Sequence, residues 1–188
     1  MNRKGAPLGD DADAVLAAAR EGDPVAWRQL YDSIAGRIAG YLRTQGAKEP
    51  EDLTSEVFLA VIRHLPSFVG GEAQFRSWVF VIAHRRLLDE RRRLSRRDEV
   101  AMGDDDVVGP SGNVEHDALA RLGTERVAEI CQRLAPDQRD VLLLRLVGDL
   151  TIDQVADVVG KSSGAVKALQ RRGLGAIHRM TQREGVTL

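Results

Sequence analysis

A single cysteine, Cys131, stands among 188 residues. It leaves no internal disulfide to form and no thiolate cluster to hold zinc or iron–sulfur, so no metal or cofactor is expected and a reducing, cytoplasmic setting is. Aromatic residues are scarce as well, at 4%, which forces any core to be built from Leu, Val, Ile and Ala. No apolar run approaches the ~20 residues that a membrane span needs. The stretch from Met1 to Asp13 lacks the apolar centre of a signal peptide and reads as a disordered polar lead-in. Net charge is nearly absent, with 27 Lys and Arg against 28 Asp and Glu. That balance excludes a uniformly basic or acidic molecule, yet it conceals a strong segregation of charge along the chain.

What the chain does carry is helical periodicity. Leu30, Ile34, Ile38 and Leu42 recur four apart, with Trp27 and Tyr31 beside them, and so share one helix face. Gly22-Asp23-Pro24 divides the stretch from Ala14 to Arg43 into two helices, with Asp23 as N-cap and Pro24 in the first helical position. A third helix is expected from Glu51 to His64, with Leu53, Val57, Ala60 and Val61 inward and Pro66 as its stop. A Gly-containing loop, Ser67 to Glu72, leads to a fourth helix from Gln74 to Arg97. No segment alternates as a strand would, so the fold class is all-α, with two small helical domains over 14–97 and 118–183. Between them, residues 98–117 hold seven acids and no Lys or Arg, with Gly103, Gly109, Pro110 and Gly112. This composition describes a flexible acidic linker. It serves either as a plain tether or as an acidic mimic of nucleic acid, and the sequence leaves both open.

In the second domain, Leu122, Val127, Ile130 and Leu134 mark a helix from Leu119 to Leu134, and Val141, Leu142, Leu144 and Leu146 carry the next as far as Gly148. The sharpest local pattern follows. Thr151 caps a short helix with Ile152, Val155, Ala156 and Val159 on its apolar face; Gly160 turns the chain; Ser162 caps a second helix with Val166, Leu169 and Ile177 inward. This is a helix-turn-helix, whose second helix enters a major groove. From Lys161 to Arg183 there are six basic residues and no acid, which suits phosphate contact. Lys167, Gln170 and Arg171 fall on its exposed face, within reach of base edges. A basic helix that merely solvates itself is the bland alternative, and the capped two-helix spacing weighs against it.

The first domain has its own constellation. Phe68, Phe75, Trp78 and Phe80 gather around one loop and helix start, and seven arginines follow between Arg85 and Arg97 against only Asp89 and Glu90. Rings that stack on unpaired bases beside guanidinium groups that hold the backbone make a single-strand binding surface. Val79 and Ile82 are core, and Trp78 suits either role. His84 reads as a polar surface residue. On the third helix, Phe58, Leu59 and Ile62 are apolar beyond the inward stripe, and Asp52 and Glu56 lie one turn apart, a mixed face fit for docking a protein.

The run Asp52-Leu53-Thr54-Ser55-Glu56-Val57-Phe58-Leu59, then Phe75-Arg76-Ser77-Trp78 and the arginine-rich helix, resembles the sigma-two domain of the extracytoplasmic-function sigma factors. The helix-turn-helix with Gly164-Ala165-Val166-Lys167 is similar to their sigma-four domain. The resemblance covers the chain from Ala14 to Arg183 and implies a role for each motif. Asp52, Glu56 and Phe58 would dock on the clamp helices of core RNA polymerase. The Ser67–Glu72 loop with Phe68, Phe75, Trp78, Arg85, Arg86 and Arg91 would melt and capture the minus-ten element of promoter DNA. Ser163, Lys167, Gln170, Arg171 and Arg172 would read the minus-thirty-five element as duplex. Melting would need no ATP, since stacking and a base pocket offset the unstacking energy. With no further domain after the helix-turn-helix, regulation is expected from a separate anti-sigma factor. One departure is the pair Gly173 and Gly175 inside the recognition helix, which predicts bending or fraying beyond Arg172. Two other classes compete. A free-standing dimeric helix-turn-helix regulator would use the same C-terminal motif without polymerase. An enzyme would need carboxylates on ordered elements, whereas the densest acids, Asp104 to Asp106, sit in the linker, so the chain reads as no enzyme.

Overall fold

The computed structural model describes residue 8, residues 11–100 and residues 128–183. The acidic linker, apart from the backbone of 98–100, lies outside the described residues, as does most of the helix expected from Leu119. The elements are α1 (Ala12–Arg20), α2 (Pro24–Thr44), α3 (Pro50–His64), a 3₁₀ turn (Leu65–Ser67), α4 (Glu72–Val100), a helical segment at 128–132, α5 (Pro136–Leu146), α6 (Ile152–Val159) and α7 (Ser163–Arg183). Every element among the described residues is helical.

Local chemistry accounts for the boundaries. The Asp23 carboxylate accepts from the amides of Val25 (2.7 Å) and Ala26 (3.1 Å), with Pro24 behind it in the first turn. Pro50 opens α3 in the same position. Pro66 stops α3, and the 3₁₀ turn it creates folds Leu65 into the core. Thr151 and Gln154 form a reciprocal capping box on α6, and Gly160 closes that helix at φ +65°, a left-handed conformation that glycine adopts freely. Ser162 Oγ then accepts from the Ala165 amide at 3.2 Å to start α7.

The α2 stripe Leu30, Ile34, Ile38 and Leu42 is buried against Leu53, Val57 and Val61 of α3 and Phe75, Val79, Phe80, Ala83 and Leu87 of α4. The same core continues without a gap into α5, α6 and α7, because α4 packs on α3 along one side and on α6 along another. Polar contacts seal this junction. Gln45, buried at the end of α2, donates to Asp140 Oδ1 (2.6 Å), and Arg91 Nη2 donates to both the carbonyl (2.8 Å) and Oε1 (2.9 Å) of Gln45. Gln132 donates to the Thr44 carbonyl (3.0 Å), and Gln154 to the Ala73 carbonyl (3.1 Å). The Asp149 carboxylate lies 3.4 Å from Arg76 and 3.9 Å from Arg37.

Three expectations need correction. In α5 four successive residues, Val141 to Leu144, are buried while Leu146 is 70% exposed, because α7 covers one side of this helix and α2 another. The recognition helix runs unbroken past Arg172 to Arg183. Gly173 is not a weak point there: a Cβ on it would stand 2.8 Å from Leu142 Cδ1, so its missing side chain lets α7 cross α5 closely. His84 is no surface residue. It is 4% exposed, with Nδ1 2.8 Å from the Tyr41 hydroxyl. A helix packed on two sides buries more than one stripe, and His84 falls on the second.

Candidate nucleic-acid interface

The loop after the 3₁₀ turn and the first turns of α4 bring the scarce aromatics together. Phe68 stacks on Trp78 with ring centres 4.9 Å apart and planes 28° from parallel, and meets the edge of Phe75 at 5.9 Å. Phe75 is almost wholly enclosed, at 1% exposure, so it forms the floor of the cluster and Phe68 and Trp78 its accessible walls. Gly70, at φ +147°, folds the loop back on the helix. The arrangement offers two stackable rings, partly open to solvent, over an apolar base. At the loop tip, Val69 is 90% exposed. Sequence reasoning singled out the loop but not this residue, since an isolated valine carries no pattern.

Along α4 the predicted arginines divide. Arg85 is exposed, and Arg86 is half-exposed with Nη1 3.6 Å from Glu56. Arg91 turns inward, spending its donors on Gln45 and standing 4.0 Å from Asp140. In this closed arrangement it belongs to the junction between the two halves rather than to the basic surface. Arg92, tied to Asp89 at 3.0 Å, is exposed instead.

On α3, Asp52 is exposed and Glu56 half-exposed; both border an open groove of about 250 Å³ with Glu49, Glu90 and Arg93. Leu59, one turn further on, is 62% exposed and extends the face they form, and Ile62 beyond it is 48% exposed. Phe58 does not belong to it. Its ring is 4% exposed, edge-on to Trp27 at 6.2 Å and 4.5 Å from Tyr31. The Phe58 ring thus braces α3 on α2, and Leu59 is the apolar residue of this turn that faces solvent.

The helix-turn-helix presents Lys167, Arg171 and Arg172 to solvent from the early turns of α7, with Gln170 half-buried beside them. Ser163, at the very start, is engaged: its hydroxyl donates to Asp153 Oδ1 at 2.6 Å, bracing the two helices of the motif. Lys161 is paired with Asp137 at 3.0 Å. The exposed cations Lys167 and Arg171 lie one turn apart on the helix, with Arg172 beside them, an arrangement suited to phosphate and base edges.

Among the described residues, no three His, Cys, Asp or Glu side chains converge on a metal position, and no helix is long and apolar enough to cross a membrane. Residues 26–97 match Sigma-70 region 2, and residues 124–177 match Sigma-70 region 4. The ECF RNA polymerase sigma factor BldN of Streptomyces coelicolor is 30% identical over 169 residues, which is 88% of this chain and 64% of that protein. The ECF RNA polymerase sigma factor SigD of Mycobacterium bovis is 30% identical over 173 residues, 88% of this chain and 82% of that one. Two solved structures share the fold. CnrH, in complex with the cytosolic domain of CnrY, gives a TM-score of 0.67 at 22% identity over 93% of this chain and 99% of its own. The sigma factor RpoE of Bartonella quintana, in complex with the anti-sigma factor NepR, gives 0.65 at 16% identity over 82% and 96%.

Proposed function

The chain belongs to the extracytoplasmic-function sigma factors of the sigma-70 family, and from that membership we propose that it binds core RNA polymerase, recognises promoter DNA and starts transcription of a specific set of genes. The observation that carries this reading is the pairing, in one chain, of a stackable aromatic cluster beside an arginine-bearing helix with a separate capped helix-turn-helix. The first chemistry suits unpaired bases and the second suits duplex, and a promoter being opened presents both.

The roles divide over two domains, 14–97 and 118–183. Asp52 and Glu56, with Leu59 beside them, dock on the polymerase clamp helices. Phe68 and Trp78, floored by Phe75, capture a base of the minus-ten element, with Arg85 and Arg86 along the strand; Arg91 joins them once the junction with Asp140 has opened. Lys167, Gln170, Arg171 and Arg172 read the minus-thirty-five element, with Ser163 setting the helix start. Strand opening draws on stacking and base capture rather than on any reaction, so the chain acts without catalysis of its own, in the cytoplasm where polymerase works. An anti-sigma factor is its regulatory partner, as NepR is for the RpoE of Bartonella quintana in their complex.

Run-off transcription with purified core polymerase on pooled promoter fragments tests this. Discrete transcripts that depend on the protein are expected, falling about tenfold or more when a docking charge is reversed. Asp52→Arg is the cleaner variant, because Glu56→Arg also removes the partner of Arg86. No transcripts, together with tight palindrome binding by a dimer in the absence of polymerase, would favour the free-standing regulator.

A further inference from the structure

Arg20 lies outside every surface assigned above. It ends α1 with a half-buried side chain turned to the capture loop. Nη2 donates to the Gly70 carbonyl at 3.0 Å, and the guanidinium carbon stands 5.5 Å from the centre of the Phe68 ring. One cation therefore holds the loop twice, by its backbone and by the ring that stacks on Trp78. Its Nε is buried and has no hydrogen-bond partner.

The loop needs such a hold. Gly70 is folded as tightly as glycine permits: a Cβ there would stand 2.8 Å from Gln74 Cβ and 3.1 Å from Phe68 Cζ. Val69, between Phe68 and Gly70, is 90% exposed, so the tip contributes no burial to keep the loop in place. The remaining support also comes from the N-terminal side. The Leu8 amide donates to Glu72 at 3.3 Å, and the Asp13 carboxylate closes over Gly71, where an added Cβ would be 3.1 Å from Oδ1. The first helix and Leu8 ahead of it form a bracket around the capture loop, and Arg20 is its point of contact with the aromatic wall.

We propose that Arg20 is a positioning residue for single-strand capture, presetting Phe68 against Trp78 and fixing Gly70 before DNA arrives. This rests on the minus-ten reading given above. A loop already ordered spares the entering strand the entropy of ordering it. A cation over the ring also disposes the wall toward the negative backbone of that strand.

The test uses holoenzyme, assembled from core polymerase and the full chain, and single-stranded oligonucleotides of the promoter recovered by run-off transcription, each minus-ten base varied in turn. Arg20→Ala is expected to weaken strand binding about tenfold and to flatten the preference at one base position. Binding of core polymerase and of minus-thirty-five duplex stays at the wild-type level. Arg20→Lys, which keeps the charge but loses the fork, restores part of the preference. Gly70→Ala, which forces the loop from the other side, reproduces the flattening. Wild-type discrimination in Arg20→Ala overturns the proposal. Should Arg20→Ala lose its helical circular dichroism, the other two variants decide, and an unchanged base preference in both overturns it equally. Failure of the wild-type holoenzyme to bind any strand selectively sinks the underlying minus-ten reading instead, a result distinct from either.

Discussion

His84 is the residue whose surroundings most constrain its chemistry. Burial disfavours its charged form and holds its pKa below the ordinary 6.5; the Asp140 carboxylate pulls the other way, and Arg91 adds to the depression. The unfolded chain therefore binds a proton more readily than the folded one. Stability is complete above the ordinary histidine value and declines as the pH falls below it. Urea midpoints stepped between roughly pH 5 and pH 7 should drop on the acid side for the native chain, and His84→Gln should flatten that drop. Equal slopes would assign the titration to another group. Tyr41 shows the same environment from the other end, since burial pushes its hydroxyl far up and keeps it neutral as the partner of His84. Nothing in the sequence marked this pair. Its residues lie 43 apart, and a histidine among arginines on a charged helix looks solvated until the second packing face of that helix is known. Three members of the aromatic cluster were legible, because the scarce rings crowd one short stretch; that Phe80 turns away to pack on Tyr41, and which ring is floor and which is wall, was not.

Among the elements, the helix ends were the most readable features, because a cap is a local event written in two or three adjacent residues. Asp23, Thr151, Gly160 and Ser162 all act as their types dictate. Thr151→Ala, which removes one half of the capping box, should cost about 1 kcal/mol in chemical denaturation. Gly173 and Gly175 of α7 show where local reading stops. By helix propensity alone, Gly173→Ala and Gly175→Ala should each stabilise by about 1 kcal/mol. Gly175 has only the flexible end of Arg179 within 3.5 Å of an added Cβ, so Gly175→Ala should realise most of that gain. At Gly173 the new methyl meets buried Leu142 and Gln138, and Gly173→Ala should instead lose about 1–3 kcal/mol. Opposite signs in paired thermal melts would establish the close crossing of α5 and α7; matching gains would refute it. The exposed Leu146 and the four-residue buried run of α5 were unreadable for the same reason, since a helix held between two neighbours has no single apolar stripe.

For the molecule as a whole, the decisive feature is the junction between its halves, where a continuous core is sealed by Gln45, Arg91 and Asp140. Asp140→Ala leaves the buried Gln45 amide with only its longer bond to the Tyr41 hydroxyl (3.3 Å) and removes the carboxylate beside Arg91, a loss of about 1–3 kcal/mol. The reversal Asp140→Lys adds repulsion from Arg91 and Arg139. Small-angle X-ray scattering should then show a larger radius of gyration for Asp140→Lys at unchanged helical content; an unchanged radius would mean that the apolar seam alone keeps the halves together. Two promoter elements named for positions ten and thirty-five lie about 25 base pairs apart, on the order of 80 Å at about 3.4 Å each. On the promoter reading proposed above, a chain in which Gln154 of the helix-turn-helix is hydrogen-bonded to the start of α4 would not touch both at once. On that reading only the parted fraction of molecules would be competent, and apparent affinity would scale with that fraction. Every ~1.4 kcal/mol added to the seam lowers it tenfold. The seam would then work as a dose setting: a substitution at Asp140 would shift the threshold of every gene under this protein by one common factor and leave their ranking intact.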